Sequence, residues 1–104
     1  MTYADVWVEF LSAEAGGRST PLDLSTDAPE TYKPRLRLSI TGGLLGVEFV
    51  DGPDGLIAPG TATYATIRTD ELDVSSTALA LGAQFDVLEG GRVVARGRVT
   101  RSGH

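Results

Sequence analysis

The chain has 104 residues, no cysteine and a formal net charge of −5 at neutral pH. That length fits one domain with a core of its own. The absence of cysteine excludes disulfides, thiolate metal sites and cysteine nucleophiles. No run approaches the about 18 apolar residues needed to cross a bilayer. Met1 to Asp5 lacks the basic start and apolar stretch of a secretory leader. No membrane partner is therefore expected, and the expected location is cytoplasmic.

Helical periodicity is almost absent. The chain breaks into short Val- and Thr-rich runs separated by Gly, Pro and Asp, which reads as strands and turns. The first strand is expected over Asp5 to Leu11, with Val6, Val8 and Phe10 alternating with Trp7 and Glu9. Ala15-Gly16-Gly17-Arg18 is a loop, and the polar segment from Leu22 to Thr31 reads as another. Lys33 to Thr41 alternates cleanly: Leu36, Leu38 and Ile40 on one face, Arg35, Arg37 and Ser39 on the other. Leu44 to Val50 is a strand, residues 51–55 and 58–60 are turns, and Thr61 to Thr69 is a Thr-rich strand.

Asp70 to Thr77 is acidic and polar, and Leu79-Ala80-Leu81 is expected to turn before Gly82. Ala83, Phe85 and Val87 then alternate with Gln84 and Asp86. Glu89-Gly90-Gly91-Arg92 has the Gly-Gly centre of a tight hairpin, where positive φ is required. The returning strand is Arg92 to Arg101. Its expected inner face is Val93, Ala95, Gly97 and Val99, with Arg92, Arg96 and Arg98 opposite and Val94 among them. Short, evenly spaced strands without helices predict an all-β, antiparallel barrel or sandwich. Residues 1–101 form one domain in this reading, with 102–104 a frayed tail.

Eight of the nine cationic residues are arginine. Arginine suits bidentate recognition of phosphate and carboxylate. If the polar faces of two strands come together, Arg18, Arg35, Arg37, Arg92, Arg96 and Arg98 form a phosphate-binding patch. The competing reading is a solvated strand face, and the acidic net charge is unfavourable for non-specific nucleic-acid binding. Trp7 and Leu11 are candidates for a partner or self-association surface.

Asp51 with Asp54, or Asp70 with Glu71 and Asp73, lack the spacing of a calcium loop and read as surface acids. The single histidine, His104, ends the chain, which argues against a Ser-His-Asp triad. No catalytic residues, metal or cofactor are expected, and the chain is expected not to be an enzyme.

Three stretches carry a resemblance. Glu14-Ala15-Gly16-Gly17-Arg18-Ser19-Thr20-Pro21 is similar to an E-x-G-G-R-H-T-P motif. Tyr32-Lys33-Pro34-Arg35-Leu36, followed by Ile40-Thr41-Gly42, is similar to Y-R-P-Q-F followed by V-T-G. Gly82 through Glu89-Gly90-Gly91-Arg92-Val93-Val94 is similar to G-L-R-F-A-I-R-E-G-G-R-T-V, and Ala58-Pro59-Gly60 stands at an M-P-G-D turn. In this order they resemble the third, C-terminal domain of elongation factor Tu, over nearly the whole chain.

The resemblance implies a six-stranded antiparallel β-barrel that binds the T-stem backbone of aminoacyl-tRNA and packs on other domains. It places Arg18 at the family's T-stem arginine and Gly90 at a glycine whose backbone nears the RNA. Arg35 stands in place of a glutamine and Ser19 in place of a histidine. No G-x-x-x-x-G-K-[ST] loop is present, so no nucleotide is expected to bind this chain alone. Two functional readings stay open: an RNA or aminoacyl-tRNA binder using the arginine face, and a protein-interaction module that contacts translation factors or itself.

Overall fold

The computed structural model describes residues 2–70 and 79–102, and no helix occurs among them. The strands are β1 (Thr2–Phe10), β2 (Leu22–Asp23), β3 (Arg35–Leu38), β4 (Leu44–Gly46), β5 (Glu48–Asp51), β6 (Leu56–Ile57), β7 (Ala62–Thr69), β8 (Gln84–Glu89) and β9 (Arg92–Ser102). Seven of them form one antiparallel sheet in the order β4-β3-β8-β9-β1-β7-β5, and β2 pairs with β6.

The two edge strands of the large sheet, β4 and β5, are separated in the chain by Val47 alone. A single residue bridges a short distance, so the sheet curls into a half-barrel. The Val47 N–H donates to the Pro34 carbonyl at 3.2 Å and the Phe49 N–H donates to the Tyr32 carbonyl at 2.9 Å. Segment 32–38 thus lies along both β4 and the start of β5, while β5 also pairs with β7.

Alternation places the core. Val6, Val8 and Phe10 of β1 point inward with Leu36 of β3, Phe85 and Val87 of β8, Ala95 and Val99 of β9, and Ala65 and Ile67 of β7. Opposite faces of a strand point to opposite sides of the sheet, so Arg37, Asp86, Arg96, Glu9 and Trp7 fall outside.

Four details depart from the sequence reading. Ile40 does not continue the inner face of Leu36 and Leu38: β3 stops at Leu38, and Ile40 is 92% exposed in the turn to β4. That turn is closed by the Gly42 N–H donating to the Leu38 carbonyl at 2.7 Å. The segment read as a polar loop, Leu22 to Thr31, contains β2 and buries Leu24, which is 1% exposed.

The expected polar face of β9 is broken by a bulge. Val93 pairs with Leu88 and Ala95 with Val87, leaving Val94 as the extra residue. A bulge lets two consecutive side chains approach the same face, and Val94 and Ala95 are both buried. Arg92 is therefore out of phase with Arg96 and Arg98. Finally, β9 runs through Ser102, whose backbone partners Ala4. Gly103, His104 and residues 71–78 lie outside the described residues. Among the described residues no helix is long and apolar enough to cross a membrane.

Candidate functional site

The three motif-bearing segments meet at one corner of the sheet. Arg18 leaves the first loop, Tyr32 precedes β3, and Glu89 ends β8. The Arg18 Nη1 donates to Glu89 Oε2 at 2.5 Å, and the Tyr32 hydroxyl donates to the same oxygen. Arg18 Nε donates to the Thr20 carbonyl at 3.3 Å, and its Nη2 donates to Thr20 Oγ1 at 3.1 Å. The guanidinium also sits 5.6 Å from the centre of the Tyr32 ring, within cation–π range. Burial, then the neighbouring Glu89 carboxylate, pushes the Tyr32 phenol well above its ordinary range. All three side chains are mostly shielded, so the cluster is a clamp that ties three segments together.

Glycine shapes the corner. Gly90 and Gly91 form the two-residue turn between Glu89 and Arg92, with φ of 57° and 81°. A side chain resists that left-handed region, which explains the pair. A Cβ built on either meets nothing within 4 Å, so the turn stands open for close approach. Gly17 has another reason: its Cβ would lie 2.1 Å from the Leu11 carbonyl oxygen.

Shallow grooves flank Tyr32. One, of about 550 Å³, runs between Lys33, Pro34 and Arg35 on one wall and Glu89, Gly90 and Gly91 on the other, over Leu44 and Leu88. A second, of about 430 Å³, lies between Arg18 and the 29–33 segment. Lys33 lines both. Arg35 and Arg92 are exposed, and neither makes an ion pair with a described residue. Lys33 lies 3.6 Å from Glu48, which also pairs with Arg68.

The remaining candidate arginines lie on the outer face of the sheet. Register aligns Arg37, Asp86, Arg96 and Glu9 in one row across β3, β8, β9 and β1. Arg37 Nη2 donates to Asp86 Oδ2 at 2.8 Å, and Arg96 Nε lies 3.6 Å from Asp86 Oδ1. The row alternates in sign, so Asp86 offsets much of the charge of Arg37 and Arg96. The next row is Gln84, Arg98, Trp7 and Tyr64.

The six arginines therefore divide. Arg18, Arg35 and Arg92 lie beside the glycine turn, Arg35 on the same outer side of β3 as Arg37, and Arg37, Arg96 and Arg98 lie further along the outer face. Of the interface candidates, Trp7 is half-buried edge-to-face against Tyr64, with ring centres 4.6 Å apart. Leu11 is half-buried, its N–H donating to the Val94 carbonyl at 2.9 Å. Sequence reasoning did not single out Tyr32, Glu89, Lys33 or Tyr64. The first three stand inside the motifs quoted above; Tyr64 has only strand alternation to mark it.

Among the described residues no three His, Asp or Glu side chains cluster as metal ligands. Of the acidic calcium candidates, Glu71 and Asp73 lie outside the described residues. No family model matches the chain.

Proposed function

We propose that the chain is a non-catalytic, cytoplasmic binding module, a closed six-stranded barrel like the third domain of elongation factor Tu, that holds RNA backbone at the Gly90–Gly91 corner. The barrel counts β4 and β5 as one bent strand lying between β3 and β7, since only Val47 separates them. One observation carries the functional reading. The segments that bear the resemblance are far apart in sequence, yet Arg18, Tyr32 and Glu89 share one carboxylate oxygen. A motif set that meets in space is better evidence of a common design than matches in sequence order.

In this reading the clamp supports the site, and the ligand touches its surroundings. Lys33 and Arg35 face phosphates along the groove wall, and the bare Gly90–Gly91 backbone allows a sugar-phosphate chain to come close. Phosphate contacts of this kind predict strong salt dependence. Aminoacyl-tRNA fits as the ligand class through its double-stranded stem.

Anisotropy of a labelled RNA stem-loop, titrated at several salt concentrations, tests the proposal. Binding should weaken as salt rises, and Lys33→Glu or Arg35→Glu should each reduce the salt slope by about one unit. Absence of binding at low salt overturns it.

A second reading, a protein-interaction module for a translation factor or a second copy of this chain, is favoured by exposed apolar side chains. Ile40, Leu81 and Leu44 are 92%, 72% and 54% exposed. Sedimentation over a concentration series, with Ile40→Ser and Leu81→Ser as controls, tests self-association.

A further inference from the structure

The outer face carries a cross-strand row that the corner does not use. Register sets Arg98 of β9, Trp7 of β1 and Tyr64 of β7 side by side on three adjacent strands. Neighbouring strands lie about 4.8 Å apart, so the row presents a cation and two aromatic rings over roughly 10 Å. Trp7 and Tyr64 brace each other at an interplanar angle of 64°, and Tyr64 remains 65% exposed. Tyr64 thus presents an open ring beside the half-buried Trp7 on the outer sheet face.

A hollow of about 210 Å³ opens beside Trp7, lined also by Ser39, Gln84, Asp86, Arg96 and Arg98, with Glu9 at its side. It is too small to enclose a drug-sized ligand and suits the edge of one planar ring. The charges in it are not equivalent. Asp86 is occupied by Arg37 and Arg96, and Glu9 accepts the Trp7 indole N–H at 3.4 Å. Arg98 is exposed and makes no ion pair with a described residue. Arg98 is therefore a guanidinium outside the described ion pairs, next to two aromatic rings, with the Gln84 amide and the Ser39 hydroxyl as hydrogen-bonding groups.

We infer that this row is a binding site for single-stranded nucleic acid, in which an unpaired base stacks on Tyr64, its neighbour enters the hollow against Trp7, and Arg98 takes the intervening phosphate. Aromatic side chains on adjacent strands with arginine between phosphates provide sequence-tolerant stacking. A duplex hides its base faces and is not a ligand for this site. The inference does not depend on the corner: the residues are different, and so is the form of nucleic acid.

Trp7 is the only tryptophan in the chain, so its fluorescence reports this site alone. Short single-stranded oligonucleotides should quench it saturably at low salt, with mononucleotide far weaker and duplex RNA without effect. Tyr64→Ala should weaken the single strand roughly ten-fold, the loss expected from one stacked base. Arg98→Gln should lower the salt slope by about 0.7, one phosphate of a single strand. Arg35→Glu, which tests the corner, should leave the quenching unchanged. Circular dichroism checks that the variants keep the wild-type strand signal. No quenching by single strands, or quenching that Tyr64→Ala does not alter, overturns the inference. So does a protein dimer in which Trp7 is shielded and Tyr64→Ala restores the monomer, because the face then belongs to a second copy.

Discussion

Arg18 and Glu89 lie 71 positions apart in the chain and meet at 2.5 Å. The contact joins the first loop to the β8–β9 hairpin, and Tyr32 joins the same carboxylate from a third segment. The three hydrogen-bonding Arg18 nitrogens are directed to Glu89 and Thr20, a planar arrangement that an ammonium cannot reproduce. Arg18→Ala should cost about 1–3 kcal/mol in urea unfolding, the range for losing charged hydrogen bonds and leaving a partner without its donor. Arg18→Lys should recover less than half of that. A double-mutant cycle with Glu89→Ala should show coupling of at least ~0.5 kcal/mol; additive losses would mean the pair does not act as a unit.

The same cluster makes a pH prediction. Burial, with the adjacent Glu89 carboxylate, raises the Tyr32 phenol, so the folded state favours the neutral, hydrogen-donating form. For a raised group the stabilisation is complete below the unfolded value of about 10 and is lost as pH rises above it. Wild-type stability should therefore fall in alkali by a component that Tyr32→Phe lacks. Parallel stability curves for the two proteins above pH ~10 would count against the Tyr32–Glu89 bond.

Backbone geometry at the corner is equally exacting. At Gly17 an added Cβ meets the Leu11 carbonyl oxygen at 2.1 Å, and backbone cannot rotate away as a side chain can. Gly17→Ala should destabilise by at least ~1–3 kcal/mol through overpacking. Gly91→Ala faces no such obstacle and should cost about 1–2 kcal/mol from its positive φ alone. Calorimetric midpoints for the two variants should fall in that order.

On the outer face, Asp86 is shared by Arg37 and Arg96. Asp86→Asn frees both guanidiniums and removes one negative charge beside the Trp7 hollow. Exposed ion pairs contribute little, so stability should change by less than about 1 kcal/mol. Affinity for a single-stranded oligonucleotide should rise several-fold. A fall in affinity at unchanged stability would show that Asp86 itself contacts the ligand.

Leu24 anchors the segment between β2 and Tyr32. It is 1% exposed although flanked by polar residues. Leu24→Ala should cost about 2–5 kcal/mol, the range for emptying a buried leucine site. Because the segment leads directly into the Tyr32 groove, the same change should also weaken RNA stem-loop binding at the corner.

Strand alternation along the chain was enough to determine an all-β architecture, the inner faces of β1 and β8 and that of β3 as far as Leu38, and the Gly90–Gly91 hairpin, because each depends on neighbours within a few residues. Four features waited for the tertiary structure. The β9 bulge depends on how Val94 meets the core between the Leu88–Val93 and Val87–Ala95 pairs, and no local pattern encodes that register. The burial of Leu24 depends on the β2–β6 pairing, between segments far apart in sequence.

The clamp lies within the quoted motifs, yet only folding brings Arg18, Tyr32 and Glu89 onto one carboxylate oxygen. Along the sequence the arginines form one patch only if two strands bring their polar faces together. Cross-strand register divides them, setting Arg37 and Arg96 against Asp86 and leaving Arg98 beside Trp7 and Tyr64. Alternation decides which side of a strand a residue takes. Which residues then stand next to it is decided by pairing between strands, and that is a property of the whole fold.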